Sequence, residues 1–387
     1  MQPDRPMDDD LDRELSLLDD LGVDFGQKRS REVLALYLRG LRICGKRRTL
    51  ANVAAALRPD ENAAAKLVDR FNYQLNDRHG RSGASWAPEM MKALGRRAIP
   101  CLRSDHPRVL VLVAMYAPRL GRGSISPSDL AHGTAQMVAV LLAVGRGPAA
   151  ELEAFPIGWR LGLDGWTDED FERAEVPSTM RYADHLSIPA GSMLADVSSW
   201  GLPDLPLVAS GPFAELRFLW LSAGWSYVVE WKKPHATATS AAATSVLAQL
   251  DAPPGDTLEE EIAERRDRYW RDVRKTTERT ARGIALRIDL MSKWRTRETA
   301  VQIADSAWCA HLPTVSNDQL LGQILAYDAL REAVKPVYRQ HLRQIGLDDY
   351  RGRKFTGWHA HRALVSAAHL LDREAAWADP GTPHQEP

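Results

Sequence analysis

The sequence predicts an α/β protein: a helical domain ahead of a sheet flanked by helices, with a basic helical insertion. Apolar residues recur at helical spacing from Ser30 to Ala98. From about Val109 the apolar runs shorten to strand length, with helical patterns between the later ones. A low-complexity linker and a segment rich in Glu and Arg then interrupt the strand series. With 387 residues, 44% hydrophobic and 26% charged, the chain is long enough for about two or three domains with real cores.

In chain order, residues 1–27 read as a flexible acidic arm, with nine acids against two bases in residues 1–24. Residues 28–105 read as a helical domain. REVLALYLRGLRICG sets Val33, Leu34, Leu38 and Leu41 on one stripe. TLANVAAALRPDENAAAKLVDRFNYQL reads as helix, turn at Arg58-Pro59-Asp60, and helix, with Asp60 as N-cap. Beside GKRR, this pair suits a helix-turn-helix DNA binder and an ordinary bundle equally well.

Residues 106–234 form the first part of a core, with strands at VLVLVAM, AQMVAVLLAV (135–144), FPIGWRLGL (155–163), SMLADV (192–197) and WSYVVEW (225–231). FAELRFLWLSAGW lies between the last two as a helix. Residues 235–297 are the linker (HATATSAAATS, PPGD) and a basic helix. Residues 298–375 complete the core with a last strand in VQIADSAWCAHL, helix over 317–345 and a terminal helix, GWHAHRALVSAAHLLDRE. Residues 376–387 are a flexible tail.

Cys44, Cys101 and Cys309 are far apart and odd in number, offering neither a disulfide framework nor a zinc spacing. The N-terminus has no apolar stretch of a signal peptide, and no apolar run approaches the roughly 20 residues that span a bilayer. The expected location is the cytoplasm, with no membrane association.

Charge is segregated although the net value is −1: eight bases face one acid in residues 28–48, and twelve face four in residues 265–297. This pattern fits an anionic partner or a set of solvated helix faces.

Several islands in fixed order resemble the DDE-superfamily transposases of bacterial insertion sequences: YLRGLRICGKRRTLANVAAAL, YAPRLGRG, FPIGWRLGLDGWTDED, SMLADVSSWG, WSYVVEW and YDALREAVKPVYRQHLRQIGLDDYRGRKFTGWHAHRALV. The resemblance implies an N-terminal DNA-binding region and an RNase H-like core, in which three carboxylates hold two divalent metals for strand cleavage and joining. The first Asp of that pattern ends the first strand, where this chain has Val113 and Ala114. The second, at the end of the fourth strand, matches Asp196. The third, a Glu on the helix before GLDDY, matches Lys335. An ammonium there repels a dication by several kcal/mol at about 4 Å. The triad positions Ala114, Asp196 and Lys335 therefore read as degenerate. No metal is expected unless a nearby acid (Asp105, Asp129, Asp328 or Glu332) has taken over, in which case Mg²⁺ would serve an active enzyme. Asp196 itself reads either as a strand-end cap or as the partner of Lys335.

His359 and His361 resemble the terminal motif of the family and read as structural or phosphate-contacting. Trp159, Trp166, Trp200, Trp220 and Trp225 read as core. The cations available for phosphate are Lys46, Arg47 and Arg48, then Arg268, Arg271, Arg274, Lys275 and Arg279 on the basic insertion. Arg331, Lys335, Arg339 and Arg343 would form a stripe on one continuous helix, with Pro336 as a possible kink.

The expected function is a transposase-derived, catalytically inactive protein that binds double-stranded DNA, as a homodimer, at the nucleoid, in transcriptional regulation. Two alternatives stand beside it: an active transposase or nuclease with shifted metal ligands, and an interaction protein whose basic helices bind an acidic protein.

Overall fold

The helical spacing of the first hundred residues becomes five helices: α1 (Asp12–Asp20), α2 (Lys28–Ile43), α3 (Leu50–Leu57), α4 (Glu61–Asn76) and α5 (Trp86–Cys101). The computed structural model describes residues 11–76, 86–117, 136–163, 166–181, 186–216, 220, 224–232, 270–280, 283–292, 297–303, 306–332, 334–337, 341–350, 352 and 354–378. Contacts divide the chain into two units, one of residues 1–108, 114–202 and 333–387, the other of residues 109–113 and 203–332.

In the first unit the predicted stripe is buried: Leu34, Leu38 and Leu41 are at most 1% exposed. Gly40 lets α2 and α3 approach, because a Cβ there would lie 2.4 Å from Val53 Cγ1. Thr49 caps α3, its hydroxyl accepting from the Asn52 N–H at 3.3 Å. Asp60 caps α4 as expected, accepting from the Ala63 N–H at 2.8 Å. Phe71 and Leu75 turn inward from α4, and Tyr37 meets Phe71 edge to face.

The same unit holds the antiparallel hairpin β2 (Gln136–Arg146) and β3 (Leu152–Leu161), with α6 (Asp168–Ala174) and α7 (Ser187–Ser198). Its last elements are α9 (Val334–Val337) and α10 (Phe355–Ala378), the terminal helix the sequence predicts. Almost every residue of α10 from Phe355 to Leu371 is buried. Trp159 on β3 donates to Ser366 Oγ at 3.1 Å, and the Arg362 guanidinium lies over both Trp159 and Trp358.

The second unit is a seven-stranded mixed sheet in the order β1-β4-β5-β9-β8-β7-β6. Its strands are β1 (Val109–Ala117, the first five residues lying in this unit), β4 (Leu207–Ser210), β5 (Tyr227–Lys232), β6 (Trp270–Thr280), β7 (Gly283–Ser292), β8 (Arg297–Ile303) and β9 (Ser306–His311). The ladders β1–β4 and β4–β5 are parallel, and the rest are antiparallel. Helix α8 (Asn317–Glu332) packs on β4 and β5.

Four expectations are corrected. The acidic arm is in part a helix: α1 buries Leu17 and Leu18, and Glu14, fully buried, accepts from Arg42 Nη1 at 2.5 Å. Its acids pair with cations of the helical unit, Asp19 with Arg31 and Asp20 with Arg97, and so fix it in place. SMLADV is helical, part of α7, because Pro189, Ala190, Met193, Leu194 and Val197 are the buried positions, a helical and not an alternating set. The basic insertion is a hairpin where it is described: Ile284, Leu286, Ile288 and Leu290 alternate along β7, opposite the Thr-rich β6. Finally, VQIADSAWCAHL contributes to two strands, β8 and β9, rather than one. Among the described residues, no helix is long and apolar enough to cross a membrane.

Candidate nucleic-acid interface and strand-end cluster

The degenerate triad positions fall on β1, α7 and α9. The ladder pairs Leu110 with Leu207, Val111 with Val208 and Leu112 with Ala209, and Val113 and Ser210 are the next residues of the two strands. On the other side of β4, Ser210 pairs with Glu230. The fourth strand thus ends at Ser210 and not at Asp196, a correction to the second triad position. Asp196 lies on α7, where it accepts from Arg160 Nη2 at 2.5 Å. That places its carboxylate on β3's arginine and leaves its expected pairing with Lys335 without support. Ala114 is half-buried on β1, and Lys335 falls on the short helix α9.

An acid does stand in this row, but a guanidinium holds it. Arg331 Nη2 lies 2.8 Å from Glu230 Oε2, 2.8 Å from Asp328 Oδ1 and 2.9 Å from Glu332 Oε1. The Glu230 oxygen is in ion-pair range without hydrogen-bond alignment, whereas Arg331 Nε and Nη2 both donate to Asp328. Arg331 and Asp328 are 5% exposed and Glu230 8%, so this is a desolvated cluster. Among the described residues, no group of three or more His, Cys, Asp or Glu is arranged to hold a metal ion. Of the other nearby acids, Asp105 is exposed and paired with Arg103, which holds its carboxyl down at about 2. Asp129 lies outside the described residues.

The predicted phosphate contacts separate under the same scrutiny. Arg331 is buried in its cluster and cannot face a phosphate. The continuous stripe is also corrected: α8 ends at Glu332, α9 covers only Val334–Val337, and residues 343–348 are turns. Arg343 is spent on Asp348, at 2.8 Å. Arg271, Arg274, Lys275 and Arg279 lie on β6. Arg268 and Arg339 lie outside the described residues, as do the glycines of YAPRLGRG.

The loop before α3 keeps its cationic character. Lys46 is exposed, with no ion pair among the described residues. Arg47 Nε donates to Asp349 Oδ1 at 3.1 Å, and the Arg48 backbone N–H donates to Asp349 Oδ2 at 2.7 Å. Asn52 Nδ2 donates to the Arg47 carbonyl at 2.7 Å. The Arg48 guanidinium turns inward to the Leu41 carbonyl, and its stem lies over Gly346, whose φ of +95° and close approach leave no room for a side chain. Arg48 is therefore a structural arginine, while Lys46 and Arg47 stay at the surface. Asp349, which no charge pattern singled out, fixes this loop. The signal for it was the GLDDY island.

Helix α4 presents a polar outer face. Asn62, Lys66, Asp69, Arg70 and Tyr73 are exposed along it, opposite Leu67, Phe71 and Leu75. Tyr73, at 56% exposed, is one of three large hydrophobic residues left in solvent among the described residues. With the turn at Arg58-Pro59-Asp60, α3 and α4 have the spacing and capping of a helix-turn-helix pair.

The two histidines of the terminal motif are structural. His361 accepts from the Tyr37 hydroxyl at Nδ1 (3.0 Å) and donates from Nε2 to the Gly346 carbonyl (2.9 Å), which defines one neutral tautomer. Burial pushes its pKa down to about 4, with the Arg362 charge adding to the effect. His359 packs between the Phe355 and Trp358 rings, and burial beside Arg160 and Arg362 lowers it to about 3. Trp159, Trp166, Trp200 and Trp220 are core, each at most 8% exposed, and Trp225 is half-buried. The sequence matches no family model and no curated protein.

Proposed function

We propose that the chain is a DNA-binding protein derived from a DDE-superfamily transposase that has lost strand cleavage, and that it acts in transcriptional regulation as a homodimer. The observation that carries the DNA reading is the α3–α4 pair: an exposed Asn62/Lys66 face on the first half of α4, beside a basic loop pinned by Asp349. Phosphate contacts from Lys46 and Arg47 would set the register, and the α4 face would read base edges in the major groove. A sheet that mixes the parallel run β1–β4–β5 with antiparallel strands suits the RNase H-like core this ancestry implies.

Loss of catalysis is supported by the same row of residues. Val113 and Ser210 offer no carboxylate, and the adjacent Glu230 is neutralised by Arg331. Two dications would need Arg331 displaced and several ligands supplied.

Binding of the purified protein to duplex DNA across a salt series tests the reading. Neutralising about six phosphates gives a log–log slope near −5. Lys46→Ala and Arg47→Ala should weaken all sequences alike and flatten the slope, whereas Asn62→Ala and Lys66→Ala should change which sequence is preferred. No salt-dependent binding at about 50 mM salt, where non-specific binding is normally strong, would remove DNA as the partner and favour an acidic protein. Mg²⁺-dependent nicking of plasmid DNA would instead establish the active-enzyme alternative.

A further inference from the structure

A cavity of about 430 Å³ opens beside the outer face of α4, within the range of roughly 300–1,000 Å³ that small ligands occupy. Its walls come from the N-terminal end of α2 (Arg29, with Phe25 just before the helix), from α4 (Asp69, Arg70, Tyr73) and from the start of α5 (Trp86). Three aromatic rings and two guanidinium groups thus surround one space. Phe25 and Trp86 meet edge to face with centroids 5.6 Å apart, which fixes an apolar wall. Tyr73 keeps its ring open to solvent.

Arg29 and Arg70 are exposed and make no ion pair or hydrogen bond among the described residues, unlike Arg31, Arg42 and Arg97 nearby, each of which is paired. Among the described residues Asp69 is the only acid on the wall, against Arg29 and Arg70. The start of α2 adds to this polarity, with no side-chain cap and no acid in its first turn.

We infer that this cavity binds a nucleotide: a base stacked on Tyr73 and a 5′-phosphate held between Arg29 and Arg70. Planar π-faces accept bases of any kind, guanidinium forks suit phosphate oxygens, and Asp69 offers an acceptor to a base amine or a ribose hydroxyl. A purely apolar ligand would leave both arginines idle, and inorganic phosphate would leave the rings idle. The nucleotide is either free in solution or the unpaired end of a DNA strand. Only the second source rests on the DNA-binding reading given above.

Calorimetric titration of the full-length protein with 5′-AMP, adenosine and inorganic phosphate tests the inference. AMP should bind, with adenosine and phosphate each at least tenfold weaker. Tyr73→Ala and Arg70→Ala should each cost about tenfold, while Tyr73→Phe keeps the stack and the affinity. Both side chains are exposed, so circular dichroism of the variants should match the parent protein. Absence of AMP binding at millimolar concentration overturns the inference, as does AMP binding that neither alanine variant weakens.

The source is separated by adding blunt duplexes and duplexes with a one-nucleotide 5′-phosphorylated overhang. AMP that displaces only the overhang duplex identifies a strand end, whereas AMP that binds and displaces neither identifies a free nucleotide. If neither duplex binds while AMP does, the DNA-binding reading fails and the cavity assignment stands.

Discussion

Arg331 draws Glu230, Asp328 and Glu332 onto a single nitrogen, and the arrangement holds only because the guanidinium is there. Buried Glu230 and Asp328 lose their hydration, and their mutual repulsion at low dielectric adds to that penalty, whereas Glu332 stays exposed. Removing the cation should therefore cost more than any single contact suggests. Arg331→Met is expected to lower stability by about 3–5 kcal/mol at pH 7, read as a fall in the denaturant midpoint. A variant as stable as the parent at pH 7 would show that the cluster is not the electrostatic unit described. Asp349 works on the same scale in the other unit, one carboxylate fixing both Arg47 and the Arg48 backbone.

Helix α10 carries the next scale, because its buried histidines are neutral inside a helix with hardly any water contact. His361 and His369 are at most 1% exposed, with pKa values lowered to about 4 and about 3 from an ordinary 6.5. Above pH 6.5 both states are neutral at these sites and their contribution is fully present. Below it the unfolded chain takes up protons that the folded helix refuses, so stability is lost as pH falls toward 4. With His359, likewise lowered to about 3, three such groups give a slope of at most about 4 kcal/mol per pH unit. Urea midpoints measured from pH 7 to pH 5 should fall, and His361→Gln should reduce the slope; midpoints flat over that range would contradict neutral burial. Helices of this kind were legible in the sequence, as were α2 to α5 and β1 to β3, because a long periodic stripe has one reading. Others, SMLADV and β6 among them, were not. SMLADV is too short for its period to separate strand from helix, and the cations of β6 mimic the composition of an exposed helix. The site was half legible for a related reason. Val113 and Ala114 could be read off the first strand, although they lie within it and not at its end, but Ser210 needed the position of β4. The Glu230–Arg331 contact joins residues about a hundred apart, which no local pattern reveals.

The whole molecule has a net charge of −1 only because its two signs are kept apart, and α1 is where they meet. Residues 1–24 carry nine acids and two bases, and three of those acids, Glu14, Asp19 and Asp20, are paired with arginines of α2 and α5. An arm that merely screened the basic surface could be removed at no cost in stability. A packed helix cannot, since Leu17, Leu18 and Leu21 would leave exposed the surface they cover. Each buried leucine contributes about 1.5–3 kcal/mol as an upper estimate. Deleting residues 1–24 should therefore lower Tm by several degrees while taking the formal net charge from −1 to +6, since seven net negative charges leave with the segment. Arg31 would lose its ion pair, and Arg42 and Arg97 would each lose one of two. The truncated protein should bind duplex DNA more tightly at low salt, with a steeper salt slope, and the gain should fade as salt rises. Thermal melts and salt-series binding of the two chains measure the two effects separately. An unchanged Tm would show that α1 contributes nothing to the fold, and an unchanged slope would show that its acids do not compete with phosphate.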